Sequence, residues 1–319
     1  LNTIQRKDLD TYFGGANETP YVSFYVEDEL LDPMTKVKKS VACITSRFIQ
    51  VLVRPTFQEP KYKEMPVYFI DYVCVDRDHE NRRLDICRKL LQTHEYYQRV
   101  HNPSIQISFI KSESSLFEGV VPLFTYTTST FSLRNLFFQP LPPHFQMVRV
   151  YKENMDVLID FLHMQKNLSN TTFPFDLFLL SDIGSMVAAI QKQLLYVCCI
   201  QRNNIVYGIY FIKNARLRYE DVDGNTLHCI GSVMNYVISK EDYGRLFYLG
   251  LLHSLRLILR EKPSFKIILF DELGHNQILL RFWRERHTEL NKHTVAYYSF
   301  NWVVPRSPFS AERCCSIHL

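Results

Sequence analysis

The run Val67-Tyr-Phe-Ile-Asp-Tyr-Val-Cys-Val75 constrains the fold more than any other stretch of the chain. It is short, apolar and bounded by charge, the pattern of a buried strand. A polar segment follows, Asp76-Arg-Asp-His-Glu-Asn-Arg82, and then a helix is expected from Arg83 to Tyr97, with Leu84, Cys87 and Leu91 on one face at helical spacing. Strand, turn and helix in that order open an α/β unit. Val41 to Val53 reads as one or two strands and Ile105 to Ile110 as another, whereas the first 35 residues are mixed, broken by Gly14-Gly15, Pro20 and Pro33.

Pro140 to Pro143 reads as a linker, and beyond it the pattern restarts. Met155 to Met164 is helical, and Leu194 to Ile200 and Ile205 to Ile212 are strands joined by a hairpin turn at Asn203-Asn204. A strand from Leu227 to Ile238, a long helix from Tyr243 to Arg260, and strands at Phe265 to Phe270 and Val295 to Trp302 complete the reading. The expectation is an α/β (α+β) protein of two similar units, residues 1–140 and 141–319, side by side.

With 319 residues and 46% hydrophobic content, the chain can bury a large core. Its formal net charge of +4 is mild and its basic residues are scattered, which argues against a nucleic-acid partner. No signal peptide and no uninterrupted apolar run of about 18 residues is present, so no transmembrane segment is expected. Four of the eight cysteines form two adjacent pairs (Cys198-Cys199 and Cys314-Cys315), no CxxC occurs, and most cysteines lie in apolar runs. That pattern suits reduced, buried thiols in a cytoplasmic protein. The chain opens on Leu1, and residues are expected to precede it.

A loop opening onto a helix N-terminus offers unpaired N–H groups and the positive end of the helix dipole, and Arg77, Arg82 and Arg83 add charge. These residues suit a pyrophosphate, but read without other evidence they favour a solvated loop between two core elements. No GxSxG, GxGxxG, Walker loop or HExxH occurs, and the irregular spacing of His275, His287 and His293 gives no metal site.

The segment Asp71-Tyr-Val-Cys-Val75 with the following Asp76 to Leu84 resembles an N-myristoyltransferase segment that reads Asn-Phe-Leu-Cys-Val-His and then Lys-Lys-Leu-Arg-Ser-Lys-Arg-Leu. Tyr297-Tyr-Ser-Phe-Asn-Trp302 is similar to the family's Tyr-Tyr-Leu-Tyr-Asn-Trp, and the tail Ser310 to Leu319 to its Gly-Ala-Glu-Lys tail, in register. Leu227 to Asn235 resembles Leu-Lys-Ala-Ala-Tyr-Ser-Phe-Tyr-Asn, while Lys39 to Thr45 and Phe265 to Asn276 resemble scaffold strands. The similarity keeps its order from about residue 20 to 319.

The resemblance implies two tandem GNAT-like acyltransferase halves with mixed sheets flanked by helices, the first binding acyl-CoA and the second the peptide. It implies transfer of a myristoyl group from myristoyl-CoA, a co-substrate, to the N-terminal glycine of proteins, with no prosthetic group. A monomer is expected. The backbone N–H groups of Tyr72 and Val73 become the oxyanion donors, and Asn81, Arg82, Arg83 and Leu84 the acyl-CoA site. Asp71, Ser112, Tyr126, Ser232 and Asn235 fall at peptide positions, and the α-carboxylate of Leu319 becomes the base that takes the glycine proton. The family's acidic loop and first acyl-CoA-binding segment would lie upstream of Leu1. Departures are Glu80, where the family has Arg, Thr127-Thr128 for a Trp-His pair, and polar residues from His287 to His293 for a Gly-Asp-Gly loop. They leave two alternatives open: another GNAT-type acyl-CoA N-acyltransferase, or a catalytically inactive relative that binds peptide or acyl-CoA.

Overall fold

A computed structural model describes residues 11–13, 18–32, 35–54, 62–113, 119–166, 175–219, 224–235, 243–303 and 308–318. The first part of the chain supplies β1 (Tyr21–Asp32), β2 (Thr35–Val53), β3 (Lys63–Val75), a 3-10 turn (Arg77–Arg82), α1 (Arg83–His101), β4 (Ser108–Ser112), β5 (Phe124–Ser132) and β6 (Phe145–Val150). Then come α2 (Asp156–Lys166), β7 (Leu177–Ser181), α3 (Ile183–Gln191), β8 (Leu195–Arg202), β9 (Ile205–Asn214) and β10 (Asn225–Met234). The last part adds α4 (Tyr243–Glu261), β11 (Phe265–Asp271), α5 (Asn276–Arg284), β12 (Glu289–Phe300) and β13 (Cys314–Ile317).

The strands join one mixed sheet in the order β13-β7-β2-β3-β4-β12-β5-β11-β10-β9-β8-β6, with β1 also paired to β2. The sheet draws on both stretches of the chain: β12 inserts between β4 and β5, and β7 pairs with β2. Among the described residues no helix is long and apolar enough to cross a membrane.

Strand alternation explains why the central runs are apolar throughout. In β8, Leu195, Val197 and Cys199 enter one core with residues of α2 and α3, while Tyr196, Cys198 and Ile200 enter another with residues of α4 and α5. Ile209 and Phe211 of β9 divide from Tyr210 and Ile212 in the same way. A strand covered by helices on both faces has no polar face to show, so its sequence loses the period of two. The turn between these strands has Asn203 and Asn204 at φ 52° and 60°, the left-handed pair that a two-residue hairpin needs.

The structure adds elements that the sequence reading did not name (β5, β6, β7, β13, α3 and α5) and departs from it elsewhere. The mixed N-terminal stretch contains β1, paired along β2. The strand expected to reach Ile238 ends at Met234, and residues 236–240 lie outside those described. On α1 the core face is Ile86 and Leu90, followed by buried His94, Glu95 and Gln98. Leu84, Cys87 and Leu91 instead face a cavity, and Leu84 is 69% exposed. Both stripes have helical spacing; the polar anchors decided between them, because His94 Nε2 meets Ser46 Oγ at 2.9 Å and Nδ1 meets Ser23 Oγ at 2.8 Å. The cysteines are free as expected and most are buried (Cys198, Cys199, Cys229, Cys314 and Cys315), with Cys74 exposed opposite Cys43.

Candidate active site

β3 and β4 run parallel and pair at Tyr68–Ser108, Phe69–Phe109 and Ile70–Ile110, where their described ladder ends. Both strands continue: β3 stays paired to β2 as far as Val75, and β4 to β12 as far as Ser112. They therefore part beyond Ile70. The cause lies in β3. Ser46 of β2 pairs with Ile70 and Thr45 with Tyr72, so Asp71 is an extra residue, a β-bulge. A bulge bends its strand and raises the local twist.

A cavity of about 850 Å³ lies in the opening, walled by Ile70 to Cys74, Ile110 to Glu113, and Glu80, Arg83, Leu84, Cys87 and Leu91. The Asp76 N–H donates to the Val41 carbonyl at 2.8 Å, so alternation along β3 turns the Val73 N–H away from β2 and toward this opening. The register is continuous from Val75 to Tyr72 and shifts only beyond it, so the same alternation turns the Tyr72 N–H toward β2. Cys74 also lines the cavity, and a hydrogen bond from Cys43 pulls its thiol down to about 6.

A second cavity of about 260 Å³ shares Asp71, Tyr72, Lys111, Ser112 and Glu113 with the first and adds Lys213, Asp271, Tyr297, Ser316 and His318. Its carboxylates are held in place by cations. Arg47 donates to both oxygens of Asp71, Nε at 2.6 Å and an Nη at 3.2 Å, and Arg47 is 1% exposed. Burial works against the Arg47 charge, but the Asp71 carboxylate outweighs it and raises the guanidinium further. Asp271 accepts from Thr128 Oγ1 at 2.7 Å and Tyr126 Oη at 3.3 Å, with His228 Nε2 at 2.9 Å and Lys111 Nζ at 3.7 Å. Burial alone would raise the Asp271 carboxyl; His228, Lys111 and the Thr128 hydroxyl hold it well below the usual carboxylate range. Burial, with Lys111 nearby, lowers the Lys213 ammonium to about 8.

The C-terminal strand brings the last two of these groups in. Arg313 pins its start, donating to both oxygens of Asp176 at 2.8 and 2.9 Å. β13 then runs parallel to β7. Gly231 of β10 lets it approach: a Cβ there would lie 3.0 Å from the Ser316 carbonyl oxygen. Cys315 and Ile317 enter the core, and Ser316 and His318 line the cavity.

Of the residues singled out from sequence, Asp71, Tyr72, Val73, Arg83, Leu84 and Ser112 gather on the first cavity wall. Arg83 is paired with Glu80 at 3.0 Å, whereas Arg82 turns to Glu27 at 2.9 Å, and neither Arg82 nor Asn81 lines the cavity. Tyr126 stands one hydrogen bond behind the second cavity, through Asp271. Ser232 donates to Asn276 at 2.6 Å and Asn235 to the Val206 carbonyl at 2.7 Å, and neither lines either cavity. Leu319 lies outside the described residues. Sequence reasoning passed over Arg47, Lys111, Lys213, His228, Asp271 and His318. A usable sign was there for the first three and Asp271: each is a charge inside or at the end of an apolar strand run.

No protein-family model matches the chain, and no curated protein matches it by sequence. Solved structures do match. A Saccharomyces cerevisiae N-myristoyltransferase with bound myristoyl-CoA superposes with a TM-score of 0.62 at 15% identity, over 96% of this chain and 82% of that one. Another such structure gives 0.61 at 14% identity over 86% of this chain, which spans 66% of its partner's length. A third, with myristoyl-CoA and inhibitors, gives 0.61 at 12% identity, covering 96% and 80%. The mixed sheet flanked by helices, interleaved across the two stretches of the chain, is thus the N-myristoyltransferase fold, carried here by a widely divergent sequence.

Proposed function

We propose that this chain is an acyl-CoA N-acyltransferase whose substrates are myristoyl-CoA and the N-terminal glycine of proteins. The observation that carries the reading is the parting of β3 and β4 beyond Ile70, which turns the Val73 N–H into a cavity joined to a second, polar and buried one. A thioester carbonyl placed there accepts from the Val73 N–H, a donor aimed where negative charge develops; Tyr72, the second donor that the resemblance implies, can join it only if the bulge turns its N–H from β2. The acyl chain lies along Leu84, Cys87 and Leu91. The coenzyme phosphates sit at the turn from Asn81 to Arg83, at the positive end of α1, whose N-terminus has no side-chain cap and whose Arg83 N–H bonds the Glu80 carbonyl. The amine enters from the second cavity, past Ser112. That solved relatives hold myristoyl-CoA supports the choice of acyl donor.

Thermal shift with myristoyl-CoA, acetyl-CoA and free CoA tests this. A ligand at a hundredfold its dissociation constant stabilises by about 2.7 kcal/mol, and the myristoyl ester is expected to give the largest shift. Equal shifts with acetyl-CoA and myristoyl-CoA would sink the long-chain reading. Glu80 on the same wall favours a binding-only relative, since it already neutralises Arg83; turnover of a Gly-peptide separates the two. Arg83→Ala is expected to weaken coenzyme binding by about tenfold, the loss of one charge-assisted contact, and Arg82→Ala by less, because Arg82 faces Glu27. The reverse order in calorimetry places the phosphates on the other side of the turn.

A further inference from the structure

We infer that Cys43 and Cys74 form a reversible oxidation site, a thiol pair that a peroxide closes into a disulfide on the wall of the larger cavity; the effect on acyl transfer, though not the bridge itself, rests on the acyltransferase reading above. The two residues stand directly opposite each other in the β2–β3 ladder. Opposed residues of antiparallel strands have Cα atoms about 4.5–5.5 Å apart, inside the roughly 4.4–6.8 Å that a disulfide spans. Their side chains leave the same face of the sheet, and the two thiols share a hydrogen bond. Both are free, Cys74 exposed and Cys43 half-buried.

The pair is asymmetric, as a sensing thiol and its resolving partner are. The Cys43 thiol donates to the Cys74 sulfur and pulls the Cys74 thiol down to about 6, against the opposing effect of burial. The same bond keeps the proton on Cys43 and raises that thiol. Elsewhere burial pushes Cys198 and Cys199 up to about 12 and lifts Cys229 and Cys315. Burial also raises Cys87, a half-buried thiol on the same cavity wall, in spite of Arg83 beside it. Oxidants attack thiolates that they can reach, and Cys74 is the cysteine that is both exposed and lowered.

The chemistry balances with a peroxide as oxidant. The Cys74 thiolate attacks one oxygen of hydrogen peroxide, the O–O bond breaks, and the leaving hydroxide takes from solvent the proton that Cys74 had released, giving water. Cys74 is then a sulfenic acid. The Cys43 sulfur attacks the Cys74 sulfur, the S–O bond breaks, and hydroxide leaves with the Cys43 proton as a second water. Two thiols are oxidised to one disulfide, the peroxide is reduced to water, and a dithiol reverses the bridge by exchange.

Position gives the bridge its consequence. Cys74 lines the larger cavity and follows Val73, whose N–H faces the opening. A disulfide draws its Cβ atoms to about 3.8 Å, from the about 4.5–5.5 Å of an unbridged opposed pair. The bridge therefore pulls β3 toward β2 beside the oxyanion donor, and it replaces a thiolate on the cavity wall with neutral sulfur.

The experiment treats the reduced protein with hydrogen peroxide near neutral pH and maps its peptides by mass without reduction. A Cys43–Cys74 linked peptide is expected before any other cysteine reacts, and dithiothreitol is expected to remove it. In Cys43→Ser, which has no resolving thiol, Cys74 is expected as the sulfenic acid, trapped by dimedone; Cys43→Ala serves if the Ser variant misfolds. In single-turnover transfer from myristoyl-CoA to a Gly-peptide, the bridged wild type is expected to run about tenfold slower, part of the roughly 10²–10³-fold that one oxyanion donor is worth, and to recover with dithiothreitol. Reduced Cys43→Ser is expected to match reduced wild type. Linkage of Cys74 to Cys87, or oxidation of Cys74 no faster than the buried cysteines, overturns the pair. A bridge that forms and leaves transfer unchanged overturns its effect on the site. Mass mapping reads the bridge whether or not acyl transfer occurs, so a wild type that forms the bridge but transfers no acyl group from any acyl-CoA sinks the acyltransferase reading and not the oxidation site.

Discussion

Proline at position 73 is expected to slow acyl transfer by about 10²–10³-fold, the cost of removing one oxyanion donor, while myristoyl-CoA still binds. Val73 is suited to this substitution because its N–H faces the opening and makes no bond in the β2–β3 ladder. Proline is tolerated where a strand has no partner on its N–H side. The residue before it, Tyr72, is extended as a pre-proline residue must be. Proline at Cys74 is the control, since the Cys74 N–H points toward β2 and its loss should cost stability instead. Transfer by Val73→Pro at the wild-type rate, with the fold intact by circular dichroism, would show that the Val73 amide holds no developing charge.

Arg47→Met is expected to destabilise the fold by about 3–5 kcal/mol, the range for breaking a buried ion pair by removing one partner. Arg47 lies in the middle of β2, almost wholly buried, and its fork satisfies both oxygens of Asp71 at the bulge. Without it, the carboxylate is stranded in a site that burial already penalises. Its ionised form is then disfavoured, so the deficit is largest at neutral pH and shrinks in acid as Asp71 takes a proton. The double variant Arg47→Met with Asp71→Asn removes both charges and is expected to recover most of the loss. Urea denaturation of the four proteins in the cycle reads the coupling. A coupling near zero would mean that the pair does not hold the bulge.

Several parts of this arrangement were legible in residue order alone. The apolar run at Val67–Val75 is β3, the periodic stretch after it is α1, and the Asn203-Asn204 turn sits where local dihedral preference puts it. The turn at Asp76–Arg83 also falls beside the cavity, through Glu80 and Arg83. Local rules suffice for these because each depends on neighbours within a turn of helix or a strand length.

What residue order did not settle depends on partners far apart in the chain. Two stripes of α1 have helical spacing, and only the serines of β1 and β2 show which one is core. Ser232 fits a substrate position by pattern, yet Asn276 takes its hydroxyl. The polar cavity is the clearest case. Asp71, Lys111, Lys213, Asp271 and His318 come from β3, β4, β9, β11 and the end of β13, brought together by one mixed sheet. The residue types and short elements were set by the sequence read locally. Which charges face each other, and which histidine stays neutral beside the bulged strand, was decided by tertiary packing, because burial and charge pairing exist only once distant strands share a sheet.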